Sequence, residues 1–189
     1  MQMAKLLIAY DTTKGQTRKI AQHVAGAIVR SGKNVEVIDI RRPPTGFSPD
    51  GFDAIIVGAS IHLGKHSRQL TAFVSRHVAR LNAVPSGFFS VSLSAAGSEK
   101  EQADASRFVA EFLAQTGWNP AINATFAGGL LYREYGFLKR WMMKKIAREA
   151  GKDTDTSKNH EYTDWTAVGQ FVDGFLAHLD QQKKGSEHG

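Results

Sequence analysis

Short apolar, β-branched runs alternate along the chain with longer stretches in which apolar residues recur every three or four positions, the periodicities of strands and helices. Ala4–Tyr10 is an almost unbroken apolar run and reads as a strand buried on both faces. Thr17–Ser31 reads as a helix with Ile20, Val24, Ala27 and Ile28 on one side, and Asn34–Ile40 as a second strand. Pro43, Pro44 and Gly46 make Arg41–Phe52 a loop. The alternation then repeats twice: strand Asp53–Ala59, loop Ser60–His66 and helix Ser67–Leu81, then strand Gly87–Leu93, loop Ser94–Ser98 and helix Glu99–Thr116. A fifth strand at Ile122–Ala127 and a helix at Thr163–Asp180 complete the pattern.

Strands alternating with helices in this way predict an α/β fold, a doubly wound five-stranded parallel sheet with helices on both faces, because right-handed crossovers place them there. Ligands of such sheets sit at the carboxyl ends of the strands where the strand order reverses, so the loops after strands one, three and four are the expected site. One segment breaks the alternation. Gly128–Tyr162 spans about 35 residues where such a connection takes roughly 2 to 6. Within it Tyr135, Leu138, Trp141, Met142 and Ile146 recur at helical spacing, with Lys139, Arg140, Lys144, Lys145 and Arg148 between them, the pattern of a basic amphipathic helix. The expected organisation is a single domain over residues 1–181 with this insert at 128–162, then a disordered tail at 182–189. In the closing helix Thr163 suits the N-cap, Asp164 the first turn and Trp165 the core.

A chain of 189 residues with 42% hydrophobic content can build a full core. No apolar run approaches the roughly 18 residues that span a bilayer, and the short apolar start lacks a small-residue cleavage site, so the expected location is the cytoplasm. Cysteine is absent, which removes disulfides, thiolate nucleophiles and cysteine-bound clusters and leaves any redox work to a bound cofactor. The net charge of +6 favours acidic partners. No nucleic-acid recognition motif accompanies it, and much of the excess lies in Arg133–Arg148, so no nucleic-acid partner is expected. Docking on an anionic membrane surface accounts for that segment, with Tyr135, Phe137 and Trp141 at headgroup level and Lys139, Arg140, Lys144 and Lys145 facing the lipid phosphates. Packing of Leu138, Met142 and Ile146 onto the sheet, or capture of substrate carboxylates by Arg133 or Arg140, are the other readings of the same residues.

The stretch Thr12-Thr13-Lys14-Gly15-Gln16-Thr17 stands between the first strand and the first helix. A strand that ends in hydroxyls and a glycine and turns directly into a helix aims free backbone N–H groups and the positive end of the helix dipole at one point, a cradle for a phosphate. Thr12 and Thr17 can donate hydroxyl hydrogen bonds to it, and Gly15 lets the backbone approach. Lys14 either neutralises the anion or points to solvent. The loops Ser60–His66 and Leu93–Gly97 carry no Trp, Tyr or Phe, which would leave a bound ring open to a bulky reactant, and the nearby Lys14 and Lys65 favour an anionic reduced cofactor. His62 and His66 are candidate proton acceptors, and their spacing yields no metal site because no third ligand lies near. Asp153-Thr154-Asp155-Thr156 reads as a polar turn.

The loop at 12–17 resembles the flavodoxin phosphate-binding pattern, with Lys14 in place of the usual threonine. Together with Gly58-Ala59-Ser60-Ile61, the insert beginning Leu130-Leu131-Tyr132-Arg133, Thr154-Asp155-Thr156 and Tyr162-Thr163-Asp164-Trp165, it makes the chain resemble the bacterial menaquinone-dependent protoporphyrinogen IX dehydrogenases from about Lys5 to Leu179. That resemblance implies a flavodoxin-like sheet of order 2-1-3-4-5 and FMN as cofactor, with Thr12, Thr13, Lys14, Gly15, Gln16 and Thr17 at the phosphate. It also implies Ser60, Ile61, His62, Gly64, Ser92, Leu93, Ser94 and Ala95 around the ring, and Arg133, Arg140, Trp141 and Lys144 toward substrate or membrane. Protoporphyrinogen IX would be the donor, and menaquinone or ubiquinone the acceptor at the inner face of the cell membrane; a homo-oligomer is compatible with this reading. A flavodoxin-domain electron carrier or quinone reductase, or a non-enzymatic flavin-binding redox module, are the alternatives. A phosphorylated receiver domain is excluded, because Gly58-Ala59-Ser60 and Gly128-Gly129 stand where it needs an aspartate and a lysine. A nucleotide hydrolase is excluded for want of its Gly-x-x-x-x-Gly-Lys-Ser/Thr loop.

Overall fold

The computed structural model describes residues 4–130 and 160–186. Strands β1 (Lys5–Asp11), β2 (Asn34–Asp39), β3 (Ala54–Ser60), β4 (Ser86–Ser92) and β5 (Ile122–Ala127) form one parallel sheet of order β2-β1-β3-β4-β5. Helices α1 (Gln16–Arg30), α2 (Arg68–Ala83), α3 (Glu99–Thr116) and α4 (Trp165–Ser186) cover it. The order reverses between β1 and β3, so the loops after those strands open on the same edge. Periodicity places each of these elements within two residues of its observed bounds, except the end of α4, and the strand order is the one that the resemblance implies.

Side-chain alternation along β1 shows how the layers are built. Leu6, Ile8 and Tyr10 belong to a core shared with α1 and α4, whereas Leu7 and Ala9 belong to a second core shared with α2 and α3. The first core includes Phe89, Phe126, Phe171 and Phe175, the second Phe88, Phe112 and Trp118. Fully burying a side chain such as Phe88 or Phe89 contributes roughly 1.5–3 kcal/mol, so the two faces together carry most of the stability. Asp11 falls on the α2/α3 side by the same alternation, and so does Ser90 below Phe88 on β4. Polar side chains therefore cap the second core at the carboxyl end of the sheet.

The chain turns are capped as the physics of helix ends requires. Ser67 accepts from the Leu70 N–H at the start of α2, and Ser98 with Glu101 forms a reciprocal capping box on α3. At α4 the structure corrects the expectation for Thr163. Asp164 Oδ1 takes the N–H groups of Thr166 and Ala167 at 2.9 and 3.1 Å and is the cap, while the Thr163 hydroxyl donates to the Ala127 carbonyl at 2.7 Å. The same helix runs to Ser186, so the first residues of the expected tail are helical.

An element absent from the sequence reading closes the neck of the insert. Strands β6 (Gly129–Leu130) and β7 (His160–Glu161) pair antiparallel, flanked by the hydrogen bonds Gly128 N–H to Ser92 carbonyl and Tyr162 N–H to Gly128 carbonyl. Glu161 then takes hydrogen bonds from Lys19 on α1 and the Trp165 indole, both at 3.0 Å. The expected basic helix, Arg133, Arg140, Trp141 and Lys144 included, lies outside the described residues.

Gly58 on β3 is where the sheet tolerates no side chain: a Cβ there would stand 2.0 Å from the Phe89 ring, which is itself packed against Phe126 and Phe171. Gly58→Ala is predicted to lower the unfolding free energy by about 2 kcal/mol or more, read as a reduced urea midpoint at unchanged m-value.

Candidate functional site

At the carboxyl end of the sheet, Thr12 to Gly15 form a turn in which the Gly15 N–H donates to Thr12 Oγ1 at 2.9 Å. Gly15 adopts φ 89°, a left-handed conformation in which a side chain would be strained, and it stands at the N-cap of α1. No side chain caps this helix, and no acidic residue lies in its first turn, so its opening N–H groups and dipole face outward into the turn. Beside them Thr17 is 1% exposed, and its Oγ1 is buried with no hydrogen-bond partner among the described residues. Leaving a buried hydroxyl unpaired costs about 1–3 kcal/mol, a debt that a bound oxyanion removes. The residues present therefore fit a phosphate group.

The cradle opens into a cleft of about 310 Å³. Thr12, Thr13, Lys14, Gln16 and Thr17 form one wall, Ser60, Ile61, His62, Leu63 and Gly64 a second, and Val91, Ser92, Leu93 and Ser94 a third. Apart from Gly15 and Ala95, every residue of the two sequence-predicted binding groups lines this cleft. Gly15 shapes the turn from behind, and Ala95 donates its N–H to Ser92 Oγ at 3.3 Å. Leu63 joins the rest of the expected 60–66 loop, and three lining residues escaped the sequence reading: Val91, Gly129 and Phe108. Phe108 is the consequential one. It projects from α3 beneath the 62–65 turn, with the Arg107 guanidinium 4.8 Å from its ring centre, and supplies the aromatic surface that the two loops lack.

The loops are held by a charge cluster that sequence reasoning also missed. Asp11 has no exposure. Its Oδ1 accepts from Arg41 Nε and its Oδ2 from the Ser67 hydroxyl at 2.5 Å, while Arg41 Nη2 reaches Thr13 Oγ1 at 3.3 Å. One carboxylate thus joins the phosphate loop, the end of β2 and the start of α2. Gln16 ties the same loop to the far side of the sheet, through a 2.8 Å hydrogen bond from its Nε2 to Thr163 Oγ1.

The two histidines separate. His62 is exposed and lines the cleft. His66 turns inward, with Nε2 3.0 Å from Ser90 Oγ and its ring between Phe88 and Phe112. Burial lowers its pKa from 6.5 to about 4, against a smaller raising influence from Asp11. His66 is neutral at pH 7 and contributes packing at a wall of the separate cavity between α2 and α3, not at the cleft. No group of three His, Asp or Glu residues among those described could hold a metal ion, and no described helix is long and apolar enough to cross a membrane.

A doubly wound parallel sheet with a phosphate cradle after β1 and a ring-sized cleft beside it defines a flavodoxin-like protein. The family model of the flavodoxin domain matches residues 7–157. The chain is 36% identical over 175 residues to protoporphyrinogen IX dehydrogenase (quinone) of Escherichia coli strain K12, covering 93% of this chain and 96% of that protein. It is 35% identical over 177 residues to the protein of the same name from Leishmania major, covering 93% of this chain and 76% of that one. Among solved structures, oxidised flavodoxin 1 from Bacillus cereus superposes with a TM-score of 0.57 at 20% identity, over 93% of this chain and 99% of that one. The chain belongs to the protoporphyrinogen IX dehydrogenase family of flavodoxin-domain proteins.

Because His66 binds its proton more weakly folded than unfolded, the unfolded state takes up protons first as pH falls. The stabilisation is complete above pH 6.5 and is lost toward pH 4, at up to about 1.4 kcal/mol per pH unit. His66→Gln is predicted to flatten the fall of the melting temperature over that window.

Proposed function

We propose that this protein binds FMN and oxidises protoporphyrinogen IX to protoporphyrin IX, passing the electrons to a membrane quinone. The buried Thr17 hydroxyl, without a hydrogen-bond partner among the described residues, in an uncapped helix N-terminus is the observation that carries the cofactor reading. The named activity of the relatives in Escherichia coli and Leishmania major supports the substrate. Bound here, FMN would supply hydride chemistry, taking electron pairs from the reduced tetrapyrrole and giving them to a quinone, with one proton released by the donor for each hydride removed.

The chain's own residues bind, orient and shield. The first turn of α1, with the hydroxyls of Thr12 and Thr17, would hold the phosphate, and Lys14 adds positive charge beside it. Ile61, Leu63, Val91 and Phe108 give the cleft apolar walls that exclude water from a flat ring. His62, exposed and lining the cleft, would be the candidate to accept the released proton.

Menaquinone is the acceptor expected from the family resemblance, and a quinone dissolved in lipid requires the protein to reach a membrane. The basic amphipathic pattern at 133–148 supports peripheral docking on the inner face of the cell membrane, where anionic headgroups would meet Lys139, Arg140, Lys144 and Lys145.

Anaerobic mixing tests the reading. Protoporphyrinogen IX is expected to bleach the flavin, NAD(P)H is not, and a menaquinone analogue is expected to restore the colour; reduction by NAD(P)H alone would refute the porphyrin assignment. Thr17→Val keeps the side-chain shape and is predicted to weaken FMN binding about tenfold or more, read by flavin fluorescence titration.

A further inference from the structure

Two helices laid on one face of a sheet ordinarily close on each other by interlocking large apolar side chains. Helices α2 and α3 leave instead a cavity of about 560 Å³, larger than the cleft after β1 and distinct from it. The cause is a mismatch of size. On its cavity side α2 carries Arg68, Thr71, Ala72 and Ser75, the i, i+3, i+4 and i+7 positions of one helical face, while α3 carries the rings of Phe108 and Phe112 one turn apart. Thr71, Ala72 and Ser75 are too small to fill the space opposite those rings. His66 adds a third ring to the wall, 4.7 Å from Phe112 between ring centres. The charges around this aromatic surface are unbalanced. Lys65 and Arg68 line the cavity, both are exposed, and neither forms an ion pair with a described residue. Glu111 is the carboxylate in the lining, and it is engaged by the Arg107 guanidinium at 2.8 Å.

Aromatic walls with two uncommitted cations at the margin suit a flat aromatic acid, and the volume lies within the roughly 300–1,000 Å³ of small-molecule sites. We propose that this cavity is a holding site for the oxidised product, protoporphyrin IX, with its ring against Phe108 and Phe112 and its two propionates at Lys65 and Arg68. The inference rests on the proposed reading of that porphyrin as the product. Complementarity of charge and shape selects this occupant. Protoporphyrin IX is an apolar disc with both carboxylates on one edge, which matches cations grouped beside an aromatic surface. Its unoxidised precursor has tetrahedral carbons between the pyrroles and is puckered, so it stacks poorly on flat rings. Gly64 and Phe108 line the cavity and the cleft alike, so the two spaces adjoin across that wall. A product that crosses it leaves the cleft free for the quinone, and its sparingly soluble ring stays out of water.

Titration of the FMN-loaded protein with protoporphyrin IX, followed by porphyrin fluorescence, tests this. Arg68→Glu reverses one charge, and Ser75→Trp fills the cavity from an exposed position on α2 that does not line the cleft. Each variant is expected to weaken protoporphyrin IX binding about tenfold or more. Flavin affinity, and kcat and KM for protoporphyrinogen IX from initial rates, should stay at the wild-type values. The dimethyl ester of protoporphyrin IX keeps the ring and loses both charges. At matched cosolvent it is expected to bind wild-type protein about tenfold more weakly than the diacid, and to show no further loss with Arg68→Glu. Wild-type affinity for the diacid in both variants overturns the proposal, and so does equal affinity of wild-type protein for acid and ester. A matching rise in KM for protoporphyrinogen IX overturns the assignment to the product, since the cavity would then receive the reactant. Protein that binds protoporphyrin IX in this cavity but oxidises no porphyrinogen refutes the proposed function and leaves the porphyrin site standing.

Discussion

The removal of one carboxylate from water governs the layout of this end of the molecule. Asp11 follows Leu7 and Ala9 on the face of β1 that points to α2 and α3, so strand alternation delivers a charge to the top of an apolar core. A buried charge is tolerated only when it is paired and hydrogen-bonded. Arg41 must therefore come back over the strand from the end of β2, and Ser67 must stand at the first turn of α2. Those two demands set the distance between the phosphate loop and the 60–66 loop, and the width of the cleft follows.

The positive charge drawn in by Asp11 is not wasted on it alone, since the same guanidinium reaches Thr13 in the phosphate loop. On the other side Gln16 is braced by Thr163, which is itself fastened to the end of β5. The cradle is thus held from both sheet faces before any ligand arrives, the preorganisation that lets binding energy go to the ligand instead of to ordering the loop. Chemistry is delegated to a cofactor, and the protein's share is geometry.

The strands, helices and cradle were legible because each depends on a local pattern: apolar runs, three-to-four spacing, and a hydroxyl and glycine turn opening a helix. What escaped the reading is non-local. Phe108 shares its helix face with the core residues Val109 and Phe112, and only the closeness of α3 to the 62–65 turn makes it a cleft residue. Asp11, Arg41 and Ser67 lie far apart in sequence and meet through topology. The cap of α4 fell to Asp164 because the Thr163 hydroxyl is engaged elsewhere, donating to the Ala127 carbonyl and accepting from Gln16, a contest no window of sequence displays. His66 resembled His62 in the sequence, and only the packing of Phe88 and Phe112 around it separates a buried neutral ring from an exposed one.

The two-residue ribbon of β6 and β7 has an architectural consequence. It brings the departure and return of the chain to adjacent positions, one of them on the cleft at Gly129, and Glu161 rivets the returning strand to α1. Closing the neck in this way separates the conformational entropy of whatever lies between from that of the sheet, because the ends are joined whether the intervening residues are few or many. The frame on one side of the clasp and the excursion on the other can then change independently over evolution.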